Sequence, residues 1–174
     1  MFDRLIDILA SFWQSLVPFK TIDVFEHGLV LTLGKDRGRR LGPGFHWVWP
    51  FIDKVLFEEI VPRVGGLDSQ TLTTVDGHTV TIQVMLTWKI RREEIHKALL
   101  EVVNVEAAVR DIFYGAVGEA VSKNKMEDLN NRSFLTKLKN TCQARADDYG
   151  IDVIRMAVTQ LTACRTFRLI NSTD

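Results

Sequence analysis

In HTVTIQVMLTWKI, residues 78–90, every second side chain is apolar. Val80, Ile82, Val84, Leu86, Trp88 and Ile90 face one way, while Thr79, Thr81, Gln83, Thr87 and Lys89 face the other; Met85 alone is apolar on the polar side. Side chains alternate across a strand, so this period of two predicts a long strand buried on one face. Asp76-Gly77 just ahead is a turn signal that pairs the strand with residues 72–75 as a hairpin. The period then changes. Ile95, Ala98 and Leu99, then Val105, Val109, Ile112, Phe113, Ala116, Val117 and Ala120, recur at helical spacing. A third helix is predicted over 134–149, with Ser133 or Asn131 as its cap and Gly150 as its stop. IDVIRMAVTQL, 151–161, alternates again and reads as a last strand.

Upstream, two apolar stretches, 22–25 and 29–33, flank Glu26-His27-Gly28, which predicts a hairpin or a strand bent at Gly28. Residues 35–40 read as a charged loop, and 55–61 as a strand ending before Pro62. Strands first, then helices, then one strand is the order of an α+β fold with a mostly antiparallel sheet.

Between these strands lies LGPGFHWVWPFID, residues 41–53. Gly42, Pro43 and Gly44 turn the chain, and Phe45, Trp47, Trp49 and Phe51 then alternate, so a strand would show all four rings on one face. Such a set either fills a core or meets something apolar outside. Both readings stand for each ring, with Trp47 and Trp49 placed outside ahead of Phe45. Residues 1–19 carry a second apolar surface: Phe2, Leu5, Ile6, Leu9, Phe12, Trp13 and Leu16 share one helical stripe before Pro18 breaks it. The stripe packs on protein or lies in a lipid headgroup layer, where Trp and Phe are favoured. The stretch has no basic leader and carries Asp3, Arg4 and Asp7, which excludes a secretory signal, and no apolar run reaches transmembrane length.

Lys plus Arg and Asp plus Glu both number 22, so the net charge is zero and nucleic acid is not an expected partner. Cys142 and Cys164 lie too far apart for a metal knuckle or redox motif, and read as reduced thiols in a cytosolic setting. His27, His46, His78 and His96 are scattered, and adjacent carboxylates such as Glu58-Glu59 point apart. No catalytic residues, metal site or cofactor are expected, and the chain is not expected to be an enzyme.

Three stretches carry a resemblance to a known family. FEHGLVLTLGKDRGRRLGPGFHWVWPFIDKV resembles the opening of the stomatin, prohibitin and flotillin superfamily's shared SPFH domain. LTTVDGHTVTIQVMLTWKI is similar to its central strand, and VEAAVRDIFYGAVGEAVSKNKMEDLNNR with YGIDVIRMAVTQL to its helices and closing strand. The resemblance spans residues 22–161. It divides the chain into an amphipathic membrane-associating segment (1–19), a first subdomain (20–75), a second subdomain (76–165) and a tail (166–174). It implies a first subdomain lying against a membrane, a peripheral location on the cytoplasmic side, and a homo-oligomeric scaffold. Lipid bilayer and further copies of the chain are then the expected partners, with Trp47, Trp49, Phe51 and the 1–17 stripe in contact with the membrane. Members commonly carry a hydrophobic anchor and a long coiled coil; here 1–19 stands in for the first, and the chain ends at Asp174 without the second, which argues against large closed rings. The resemblance also admits a regulatory partner of a membrane-embedded protease or channel. A soluble protein-binding domain with an all-core aromatic strand is the reading from a different class.

Overall fold

The structure, a computed structural model, describes residues 18–164. Contacts divide them into two compact units. The first comprises the residues up to Val61 together with Ile90–Glu101, and the second comprises Pro62–Lys89 with the residues from Val102. The division falls at 61/62, where the sequence reading puts it at 75/76, because the short strands between those points pair with the long central strand.

The first unit holds strands β1 (Phe19–Ile22), β2 (Glu26–Thr32), β3 (Lys35–Leu41), β4 (Gly44–Trp47) and β5 (Asp53–Glu59), and helix α1 (Ile95–Leu100). β3, β2 and β5 form an antiparallel sheet with β2 central, and β1 pairs with β4 in a separate antiparallel ribbon. Ile22 of the ribbon packs with Val30 and Leu41 of the sheet, and Val48 and Val55 close this small core. α1 packs on β2 and β5.

Two sequence expectations are corrected here. β1 and β2 are not a hairpin: the chain turns at 23–25, where Glu26 N–H bonds Asp23 O, and the two strands go to different sheets. Gly28 lies inside β2, not in a turn. A Cβ there would stand 3.0 Å from the Leu56 carbonyl oxygen of β5, so the residue is small because two backbones approach closely. The expected charged loop at 35–40 is instead β3, an exposed edge strand. Its charges suit an edge, since they discourage pairing with another chain.

The second unit holds β6 (Arg63–Gly66), β7 (Gln70–Thr73), β8 (Thr79–Ile90, whose last residue belongs to the first unit), α2 (Val105–Ser122), α3 (Arg132–Ala146) and β9 (Ile151–Cys164). β8 buries Val80, Ile82, Val84, Leu86, Trp88 and Ile90 and exposes Met85, as its alternation predicts. β6 and β7 pair antiparallel with successive parts of β8, and β9 also pairs with β8. Asn104 caps α2 by accepting the Ala107 N–H at 3.0 Å. Asn131 occupies the cap position of α3 but makes no side-chain cap bond. Gly150, left-handed at φ 69°, ends the turn that follows α3. α3 packs on both α2 and β9. Gln143 of α3 clips the start of β9, donating to Ile151 O (3.0 Å) and accepting from Val153 N–H (2.7 Å).

Candidate functional site

The ribbon of β1 and β4 carries the aromatics. Register places Phe19 opposite Trp47 and Thr21 opposite Phe45. Phe19 stacks on Phe45 with ring centroids 4.5 Å apart and meets Trp47 edge-on at 4.8 Å; Trp47 in turn meets Trp49 edge-on at 5.9 Å. These are the offset and edge-to-face arrangements that aromatic quadrupoles prefer. The row remains largely open to solvent, with Phe45 at 67%, Trp47 at 46% and Trp49 at 57% exposure. Phe45, placed behind the tryptophans in the sequence reading, is thus the most exposed of the three. The core beneath is filled by Ile22, Val30 and Leu41, which leaves these rings no interior to occupy.

Phe51 departs from the predicted row. β4 ends at Trp47, and Asp53 N–H bonds Trp49 O at 2.9 Å to close a turn that swings Phe51 off the strand face. Gly42 and Pro43 link β3 to β4: His46 Nε2 donates to Gly42 O at 2.7 Å, and Gly44, the first residue of β4, has φ 123°, a region that favours glycine. Phe2, Leu5, Ile6, Leu9, Phe12, Trp13 and Leu16 lie outside the described residues.

Three residues that organise this surface escaped the sequence reading. Phe19 looked like the end of the leading segment. Asp53 is one acidic residue among many in the sequence, yet its nearly buried carboxylate accepts from Thr32 Oγ1 (2.7 Å), Trp49 N–H (3.2 Å) and Arg39 (3.3 Å). The Thr32 hydroxyl first, then the Trp49 amide and the Arg39 charge, hold that carboxyl below its ordinary pKa of 3.8. Arg39 also donates to Trp47 O, tying the edge strand to the aromatic row.

In the second unit a cleft of about 240 Å³ is lined by Arg63, Gly66, Leu86, Trp88, Glu106 and Arg110, among others. The Arg63 guanidinium stands 5.4 Å from the Trp88 ring centroid, and Arg110 pairs with Glu106 at 3.7 Å. No nucleophile and base stand together in this lining. Among the described residues, no group of His, Cys, Asp and Glu is placed to hold a metal. Burial pushes the Cys142 thiol up to about 12, while Cys164 is exposed with Sγ 3.1 Å from Thr81 Oγ1. No helix among the described residues is long and apolar enough to cross a membrane.

Sequence comparison adds two findings. The profile of a family described as SPFH domain / Band 7 family matches residues 20–169. An uncharacterized protein of Methanocaldococcus jannaschii is 23% identical over 142 residues, covering 80% of this chain and 70% of that protein.

Proposed function

The chain belongs to the SPFH domain / Band 7 family, whose members are in general membrane-associated scaffolds, and on that premise we propose that it attaches peripherally to a bilayer through the aromatic ribbon and the 1–17 stripe and gathers copies of itself there. The observation that carries this reading is the open row of Phe19, Phe45, Trp47 and Trp49. Aromatic rings of this kind settle at the boundary between headgroups and acyl chains, burying carbon while the indole N–H stays near water.

Magnitudes show why one copy's ribbon is not enough. Full burial of a large apolar side chain is worth about 1.5–3 kcal/mol, and rings already half covered gain about half of that. Four such rings supply on the order of 4 kcal/mol, below the roughly 5.5 kcal/mol of a single myristoyl chain, itself a marginal anchor. The 1–17 stripe and the avidity of several copies are the two sources that make up the difference. Lateral association draws its support from the family. Mixed charges on the helices contribute less than their number suggests, because Glu119 pairs with Lys123 and Arg145, Glu106 with Arg110, and Glu94 with Arg91 and Lys97 within the chain. Two unpaired thiols suit the cytoplasmic face.

Flotation with liposomes tests the reading. The full chain rises with vesicles, and replacing Phe45, Trp47 and Trp49 by Ser lowers its partition onto them about a hundredfold. Deleting residues 1–17 lowers it as well. If the full chain stays at the bottom of the gradient with every vesicle, membrane attachment is wrong.

A further inference from the structure

The antiparallel pair of β2 and β5 has charge divided between its two ends. At the Glu26–Glu59 end stand Asp23, Glu26, Glu58 and Glu59; at the Thr32–Asp53 end stand Lys35, Arg37 and Lys54. The two carboxylates at this second end are occupied. Asp53 is held as described, and Asp36 accepts the Gly38 N–H at 2.7 Å and pairs with Arg40 at 3.4 Å. Among the described residues Lys35 and Lys54 have no carboxylate partner, the Arg37 charge reaches Asp53 without an ion pair, and all three are exposed.

The same end carries the two non-glycine residues with positive φ among the described residues, Leu33 (53°) and Phe51 (75°). Left-handed backbone is unfavourable for a side chain with a Cβ, and both are large and apolar, with Leu33 69% and Phe51 82% exposed. Leu33 N–H donates to Ile52 O at 2.8 Å, so the β2–β3 tip and the β4–β5 turn are bonded into one apex. Val48 N–H bonds Pro18 O at 2.7 Å, which brings the point where residues 1–17 join to Trp49 and this apex. Strain, exposure and unpaired cations therefore coincide at one end of one sheet.

We propose that this apex enters a bilayer of anionic phospholipid end-on. Leu33 and Phe51 pass the headgroups, and Lys35, Arg37 and Lys54 take the phosphates. The inference rests on the membrane reading above and adds to it the class of lipid and the direction of approach. The chemistry is that of an amphipathic contact: apolar side chains reach the acyl boundary while cations on long stems stay at the level of the phosphates. Anionic lipid attracts each such cation, which favours the apex-first orientation.

The test uses the full chain with vesicles of phosphatidylcholine alone and of phosphatidylcholine with about 30 mol% phosphatidylglycerol. Partition onto the anionic vesicles is expected to be about tenfold or more above the neutral ones at low salt, and to fall as salt screens the surface. The variant K35E/R37E/K54E removes the difference between vesicles, and K35Q/R37Q/K54Q reduces it; L33S/F51S weakens binding to both. Near-native circular dichroism of the variants excludes unfolding as the cause. Equal binding of the unaltered chain to both vesicles, or an unchanged preference in the charge variants, overturns this inference and leaves the membrane reading standing. No binding to either vesicle overturns both.

Discussion

Asp53 is the residue on which the aromatic surface turns. It accepts the Thr32 hydroxyl, the Trp49 amide and the Arg39 guanidinium, so it fixes the turn that carries Trp49 and Phe51. Removing a nearly buried acceptor strands its donors, and Asp53→Ala is expected to lower stability by about 1–3 kcal/mol, read from the urea midpoint. The pH dependence has a definite sign. The carboxyl's folded pKa lies below its ordinary value of 3.8, so the ionised form is favoured by folding. Its contribution is fully present above that ordinary value and is lost as pH falls through the lower folded one. Stability of the unaltered protein therefore drops on acidification below about pH 4, and the drop is smaller in Asp53→Ala. Nothing in the sequence marks this role, because the three donors lie 21, 14 and 4 positions away and meet only once β2, β3 and β5 have paired. The exposed rings were legible as a cluster of unusual size; that they lie outside became certain only when Ile22, Val30 and Leu41 filled the core instead.

Elements were readable where one face is buried and the other is wet. β8 meets that condition along its whole length, and its alternation survives in the structure residue by residue. β3 does not: an exposed edge strand has charge at nearly every position, so no period marks it and it resembles a loop. β6 was missed for a related reason, since Gly65-Gly66 after Pro62 signals a break, although the segment pairs with β8 from Arg63 to Gly66. β9 shows how a helix finishes a sheet. Gln143 presents both an amide donor and an acceptor to the backbone of Ile151 and Val153, as a neighbouring strand would. Gln143→Ala leaves these two backbone groups without that partner. The expected result is a loss of about 1–3 kcal/mol in stability, with faster amide exchange at Val153 than elsewhere in β9. An unchanged exchange rate at Val153 removes the clip from the account.

At the scale of the whole molecule, the two units divide the work. The second is built on β8 and two packed helices and carries a conventional core, whereas the first has a small core and puts its largest rings on the outside. That distribution makes little sense for a module that meets water on every side, and it agrees with a family whose members are membrane-associated. The central claim is that the first unit's aromatics touch lipid, and tryptophan emission reports it directly. With Trp13 replaced by Phe, the remaining indoles are Trp47 and Trp49, both exposed, and Trp88, buried in the second unit. On vesicles whose acyl chains carry bromine, the emission of this variant is expected to shift to the blue and be quenched, while W13F/W47F/W49F, which keeps Trp88, is not quenched. Emission of the W13F protein that stays the same on bound brominated and ordinary vesicles would contradict the account.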